Sequence, residues 1–301
     1  LILVNDLSFF CSHRLPIAET LIKKGCDVII GYGELGGADK KLLYKKGFRL
    51  RFIPMYRGTM NLFKDLKTFF YLFSFFKKEK PDLVHLVTIK PYLYGGIISR
   101  LIGIPCLVSA VAGLGSLFVN NNLKSKFIRL LIYFVYRLAF NHKNQIVIFQ
   151  NKNDAQLLLK WGVLHSYKVH LIKGSGVDLQ NFTNFDEPTG IPMICFAARL
   201  LADKGVYEFV SAAKLLKERG IIARFCLAGD LDIYNPSGIS LEDLNKIKKE
   251  GYVEILGYQK NIPDLYSRSH IICLPSYREG LPKTLIEAAA ASRAVVTTDV
   301  P

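Results

Sequence analysis

The chain has 301 residues, of which 50% are hydrophobic and 22% charged, a composition that excludes fibrous and disordered proteins. Its net charge of +15 is uneven, because residues 1–180 carry 26 basic and 10 acidic side chains whereas residues 181–301 carry 14 and 15. The first part is therefore expected to bind an anionic partner, whereas the positive and negative charges of the second part nearly cancel.

Two series of alternating strand and helix patterns follow one another, as is typical of βα units that feed a parallel sheet. The first series has strands at 1–5, 27–31, 49–53, 83–88, 105–109, 145–149 and 168–172, and helices at 14–24, 38–46, 61–79, 91–102, 124–141 and 151–160. The second has strands at 193–197, 223–228, 252–256, 271–274 and 294–298, and helices at 204–219, 240–250, 261–268 and 282–291.

A segment rich in Pro, Gly, Asn and acidic residues separates the two series. The sequence thus predicts an α/β fold with a doubly wound domain over 1–180, a linker over 181–192 and a second, incomplete doubly wound domain over 193–301. Both ends of the chain fall at strand-like runs and are expected to be cut. Because such sheets bind ligands at the carboxyl ends of their strands, a site is expected in a cleft between the domains.

The cellular compartment follows from cysteine usage and hydropathy. The six cysteines form no C-x-x-C pair, so free thiols in a reducing compartment are expected. The best candidate for a membrane span, residues 127–140, is too short and contains Arg129 and Arg137, so no span is predicted.

Two carboxylates in the second half, Glu279 and Glu287, lie eight positions apart where a strand ends and a helix is predicted to start near Pro282. The backbone N–H groups at a helix start attract anionic or polar ligand groups. Glu287 would point into the same site and accept two hydroxyls of a ribose. The alternative is that both are solvated surface acids, with Glu279 capping the helix.

Two cations, Arg199 and Lys204, follow the first strand of the second half. A guanidinium fork and an ammonium point charge neutralise different oxygens of a diphosphate. The alternative is that both are merely solvated in a βα loop, but Glu279 and Glu287 in the same half favour a site.

Together these segments resemble the donor site of glycosyltransferase family 4, retaining enzymes of the GT-B fold. The segment Lys173–Asp178 is similar to the family's interdomain turn. The resemblance implies two Rossmann-like domains facing across a cleft. The roles it implies are diphosphate binding by Arg199 and Lys204, sugar binding by Glu279, Gly280, Leu281, Pro282 and Lys283, ribose binding by Glu287, and contact of Tyr258 with the base.

The first half resembles a narrower group, bacterial enzymes that extend polyprenyl-diphosphate-linked sugars, N-acetylgalactosaminyltransferases among them. The similar segments are Thr88–Gly95 and residues 112–118, and Ser12–Pro16 stands where the family places an acceptor-side loop and helix. Many members keep a His after the fifth strand, which this chain lacks. His13 is then the acceptor-side candidate for catalysis, with a purely structural role as the alternative.

Three further features of the first half leave alternatives open. His85 is expected to be a satisfied core residue, and Lys90 either contacts an acceptor phosphate or is solvated. The aromatic and basic stretches 61–80 and 122–143 either lie in the headgroup layer of an anionic membrane or pack under the sheet. No nucleic-acid recognition motif is present in the sequence.

The sequence therefore predicts a retaining transfer of a hexose or N-acetylhexosamine from a nucleotide-diphosphate sugar, a UDP-sugar, to a lipid-diphosphate-linked saccharide. The enzyme would act peripherally on the inner face of the bacterial plasma membrane. No cofactor or metal is expected, although Asp230 and Asp232 have a spacing that binds metals. The alternatives are a non-catalytic nucleotide-sugar-binding protein and a nucleotide-sugar epimerase of the same fold.

Overall fold

The computed structural model describes residues 1–55, 61–111, 132–174, 176–232, 235–279 and 281–300. The chain divides into two compact units, Leu1–Ser175 and Gly176–Pro301. Each unit contains one parallel sheet, which confirms the α/β fold class. All twelve predicted strands are present, each within two or three residues of its predicted bounds.

The sheet of the first unit has seven parallel strands in the order β3-β2-β1-β4-β5-β6-β7. Its strands are β1 (Ile2–Asp6), β2 (Ile29–Glu34), β3 (Arg49–Phe52), β4 (Leu83–Val87), β5 (Cys106–Val111), β6 (Gln145–Phe149) and β7 (Val169–Leu171). Its helices are α1 (Leu7–His13), α2 (Leu15–Lys23), α3 (Lys40–Lys45), α4 (Leu62–Glu79), α5 (Gly96–Ile102), α6 (132–139) and α7 (Lys152–Lys160). Separate apolar cores cover the two faces of this sheet.

Helix α1 is a finding that the sequence pattern did not predict. Asp6 begins it by accepting a hydrogen bond from the backbone N–H of Phe9 at 3.1 Å. Arg14 separates it from α2, where Pro16 lies in the first turn and its missing N–H costs no helical hydrogen bond. Residues 12–16 are therefore the junction of two helices, where a loop followed by a helix was expected.

The sheet of the second unit has five parallel strands in the order β10-β9-β8-β11-β12. They are β8 (Met193–Ala197), β9 (Arg224–Ala228), β10 (Glu254–Gly257), β11 (Ile271–Leu274) and β12 (Ala294–Thr297). The helices are α8 (Val206–Glu218), α9 (Leu241–Glu250), α10 (Ile262–Ser267) and α11 (Lys283–Ala290). Phe182, within the predicted linker, is buried in the core of this unit beside Tyr266.

Some of the segments singled out in the sequence lie outside the described residues: 112–118, the first part of the predicted helix 124–141, Ser175 and Gly280. Over the part of the chain that the structure describes, no helix is long and apolar enough to cross a membrane. The six cysteines are free thiols, as predicted.

Candidate active site

The candidate site lies at the carboxyl ends of β8 and β11, the central strand of the second sheet and its neighbour. The chain winds outward from β8 through β9 to β10, and in the other direction from β11 to β12. Open α/β sheets bind ligands where the strand order reverses in this way. Arg199 follows β8, and Glu279 lies in the loop that follows β11.

An ion pair joins these two loops. The Lys204 ammonium contacts Oε1 of Glu279, and the same oxygen accepts a hydrogen bond from the Ser276 hydroxyl at 2.7 Å. The backbone N–H of Tyr277 donates to the carbonyl of Asp203 at 3.0 Å. Lys204 and Glu279 therefore form one polar group at the carboxyl ends of β8 and β11.

Gly205 makes this close approach possible. Its backbone is left-handed, with φ of +79°, and a Cβ atom there would overlap the carbonyl oxygen of Pro275. Glycine alone adopts this conformation without strain and leaves room for the neighbouring backbone. The Lys-Gly dipeptide thus positions the ammonium of Lys204 beside the loop that follows β11.

Arg199 is held by a carboxylate from the loop that follows β9. Its Nη1 lies 2.6 Å from Oδ2 of Asp232, and 48% of its side chain is exposed. Asp232 belongs to the Asp-x-Asp motif noted as a possible metal ligand. No group of three or more metal-binding side chains occurs within the described ranges. Asp232 accepts a hydrogen bond from Arg199.

The first turn of α11 faces the end of β8. The Thr284 hydroxyl donates to the carbonyl of Ala197, the last residue of β8, at 2.9 Å. Pro282 precedes the helix, and no side chain caps its first N–H groups. The anticipated helix start near Pro282 is thus confirmed to within one residue. Leu281, next to it, is partly exposed.

Glu287 lies one turn into α11 and is only 9% exposed. Burial raises the pKa of its carboxyl group, and the ammonium of Lys283, 2.9 Å away, opposes that rise. Glu287 is therefore not a solvated surface acid. Glu279 does not cap the helix either, since it pairs with Lys204.

The remaining predicted residues belong to other elements. Tyr258 directly follows β10, two strands from β8, and its ring is exposed. His13, in the first unit, ends α1; its Nδ1 lies 2.6 Å from the Ser12 hydroxyl, and its ring stacks on Phe9. His85, expected to be satisfied, has a buried Nε2 without a partner.

Sequence reasoning missed three residues of the site, Asp232 as a partner of Arg199, Ser276 as a partner of Glu279, and Thr284. A hydroxyl three residues before Glu279 was a usable signal for Ser276. The contacts of Asp232 and Thr284 join segments 33 and 87 residues apart, which no local pattern reports.

Comparisons with known proteins match both units. The profile of the "Glycosyl transferase 4-like" family matches residues 1–151, and that of "Glycosyl transferases group 1" matches residues 191–301. A glycosyltransferase structure from Rickettsia africae superposes with a TM-score of 0.71 at 20% identity, covering 99% of this chain and 79% of that one.

Two curated relatives extend the similarity. One, from Campylobacter jejuni, is an N,N'-diacetylbacillosaminyl-diphospho-undecaprenol alpha-1,3-N-acetylgalactosaminyltransferase, 31% identical over 95% of this chain and 76% of its own length. The other, from Escherichia coli, is a UDP-Gal:alpha-D-GlcNAc-diphosphoundecaprenol alpha-1,3-galactosyltransferase, 27% identical over 84% of this chain and 66% of its own length.

Proposed function

The chain belongs to the group 1 glycosyl transferases and is a glycosyltransferase of the GT-B fold, and we propose that it is a retaining enzyme. In this proposal it moves a hexose or N-acetylhexosamine from a UDP-sugar to a lipid-diphosphate-linked saccharide. The two relatives named for transfer to undecaprenol-diphosphate sugars support this acceptor. The observation that carries the proposal is the placement of Arg199 and Lys204 at the switch point of the second sheet.

Each residue of the donor site has a proposed role. Arg199 and Lys204 bind the diphosphate, because the two cations follow one strand and neutralise different oxygens. Glu279 and the backbone at the start of α11 hold the transferred sugar. Glu287 accepts ribose hydroxyls, and Tyr258 borders the base.

The proposed transfer needs no protein base. The oxygen of the acceptor hydroxyl bonds to the anomeric carbon while the bond from that carbon to the diphosphate breaks. The electron pair goes to the diphosphate, whose oxygen takes the hydroxyl proton. Arg199 and Lys204 stabilise the developing charge, which is the largest electrostatic contribution expected in such a step.

Metal independence is part of the proposal. Two cations from the protein supply the positive charge that a divalent ion would otherwise provide at the diphosphate. The Asp-x-Asp motif contributes Asp232 to Arg199 instead. Transfer by wild type is expected to persist with a chelator. Loss of transfer on chelation would contradict metal independence but not the proposed transfer itself.

The test of the function is transfer from radiolabelled UDP-sugars to a short-chain polyprenyl-diphosphate-linked saccharide, with the anomeric configuration of the product determined by NMR. Replacing Lys204 or Arg199 by Ala is expected to lower turnover by about 100-fold. Arg224→Ala is the matched control, because Arg224 is an equally exposed arginine paired with Glu254 at the opposite end of β9. No transfer by wild type from any donor, or an inverted product, would contradict the proposal.

We also propose that the protein works on the inner face of the bacterial plasma membrane and that α4 contacts the anionic lipid surface. Leu62 and Phe63, at its start, are 80% and 84% exposed, and Phe70 further along is also exposed. Lysines 64 and 67 accompany them on the exposed part of the helix. Exposed aromatic rings with adjacent cations suit the headgroup layer of an anionic leaflet. Phe75 and Phe76 are buried, so the helix also packs on its sheet.

Vesicle sedimentation tests this surface. Binding to phosphatidylglycerol vesicles is expected to exceed binding to phosphatidylcholine vesicles, and Phe63→Ser is expected to weaken it by about tenfold. Ile222→Ser, at a comparably exposed apolar side chain in the second unit, is the control and should bind as wild type. Equal binding of Phe63→Ser and wild type would contradict the role of α4.

A further inference from the structure

Two neighbouring interior strands of the first sheet, β1 and β4, separate at their carboxyl ends. Pairing between β1 and β4 runs through Ile2 with His85 and Leu3 with Leu86, while β1 remains paired with β2, and β4 with β5, further toward their carboxyl ends. The strand order also reverses between β1 and β4, the position where open α/β sheets bind ligands. Asn5, near the end of β1, and Thr88, directly after β4, flank this opening.

Each of these two residues has a buried polar atom without a partner. Oδ1 of Asn5 and Oγ1 of Thr88 are both enclosed and accept or donate no hydrogen bond. Proteins pair nearly all of their buried polar atoms, so two such atoms beside one opening could both bond the same polar ligand. Thr88 is also left-handed, with φ of +76°, which a β-branched residue adopts only under strain.

The cation nearest to Thr88 in sequence is paired. The ammonium of Lys90, two residues after Thr88, lies 2.7 Å from Oδ1 of Asp65 on α4. A second cation, the buried guanidinium of Arg14, acts on His85 of β4, and its Nε has no partner. Asn5 and Thr88 themselves offer an amide oxygen and a hydroxyl, which suit the hydroxyls of a sugar.

We propose that Asn5 and Thr88 bind the terminal sugar of the acceptor, an inference that rests on the proposed function. Oδ1 of Asn5 accepts a hydrogen bond from one sugar hydroxyl, and the Thr88 hydroxyl bonds a second. The opening therefore recognises the saccharide of the lipid-linked acceptor, and its diphosphate and lipid bind elsewhere.

Kinetics of Thr88→Val test this assignment, since valine keeps the shape and removes the hydroxyl. The KM for a short-chain polyprenyl diphosphate carrying one N-acetylhexosamine is expected to rise about tenfold, with the KM for the UDP-sugar unchanged. Thr88→Ser is expected to restore the acceptor KM. Ser99→Ala is the control, because the hydroxyl of Ser99 is equally buried and unpartnered but lies on α5. An unchanged acceptor KM in Thr88→Val would overturn the assignment.

Direct binding separates this inference from the function on which it rests. In titration calorimetry, Thr88→Val is expected to bind the sugar-bearing probe about tenfold more weakly and the same polyprenyl diphosphate without sugar as wild type does. An equal loss of affinity for both probes would assign the opening to the diphosphate and overturn the proposal. An unchanged affinity for both probes would overturn it as well. If wild type binds the sugar-bearing probe but transfers nothing to it, the transferase proposal fails while the binding comparison still decides this one.

Discussion

Gly205, a single residue, determines how the loop after β8 packs against the loop after β11. A side chain there meets both a left-handed backbone and the carbonyl of Pro275. Gly205→Ala is therefore expected to lower the free energy of unfolding by about 2 kcal/mol or more and to raise the donor KM, because Lys204 moves. Gly220→Ala is the control, since Gly220 has a similar φ of +76° but open space around it. Chemical denaturation that gives equal losses for both variants would contradict the role of the close approach.

His85 makes stability depend on pH. Burial, together with a smaller effect of the charge of Arg14, lowers its pKa to about 3. An unfolded chain takes up the His85 proton near pH 6.5, so its contribution to stability is complete above that pH and is lost as the pH falls toward the folded pKa. The loss is about 1.4 kcal/mol per pH unit.

His85→Gln is accordingly expected to flatten the fall in unfolding free energy between pH 7 and pH 5 by about 2 kcal/mol. Urea denaturation at several pH values measures this slope. His165→Gln, at an exposed histidine, serves as the control and should keep the slope of wild type. A slope in His85→Gln equal to that of wild type would show that His85 is protonated in the folded chain.

Among the elements, α11 is joined at its first turn to β8 by one side-chain hydrogen bond. The Thr284 hydroxyl fixes the start of the helix to the carbonyl of Ala197. Thr284→Val is expected to leave that buried carbonyl unpaired, to lower stability by about 1 kcal/mol and to raise the donor KM several-fold. Thr284→Ser keeps the hydroxyl and should behave as wild type. Donor kinetics beside thermal unfolding separate the two effects, and an unchanged donor KM would limit Thr284 to a structural role.

The elements themselves were largely predictable, because each βα unit carries its own apolar pattern and turn residues. Helix α1 was not, since seven residues after a strand show too little periodicity and its start depends on Asp6. The positions of Arg199, Lys204 and Glu279 at strand ends were also predictable, while their role in donor binding stays a prediction. Their partners, such as Asp232 for Arg199, were not, because contacts between loops depend on tertiary structure. Asn5 and Thr88 carry no charge and belong to no motif, so burial alone reveals them.

At the scale of the whole molecule, charge is divided between the two parts of the sequence. Residues 1–180 carry a net charge of +16 and residues 181–301 a net charge of −1. Raising NaCl from about 0.05 M to about 0.5 M shortens the screening length severalfold, so binding to anionic vesicles is expected to fall by about tenfold or more. The donor KM should change less than about threefold, since we propose that only a few residues, Arg199 and Lys204 among them, bind the donor. A similar salt dependence of vesicle binding and of the donor KM would contradict the assignment of the excess positive charge to membrane binding.

The salt bridges of Arg199 and Lys204 have a consequence for the end of the reaction. Each cation already has a carboxylate beside it, Asp232 and Glu279 respectively. In the proposed function, a nucleotide diphosphate must displace these counter-ions to bind, and after transfer the spent nucleotide keeps its negative charge. The two carboxylates would then compete with it for the same cations and shorten its residence. On this proposal the protein gives up some affinity for the donor in exchange for faster release of the product, and its internal acids set how soon the site is vacant for the next cycle.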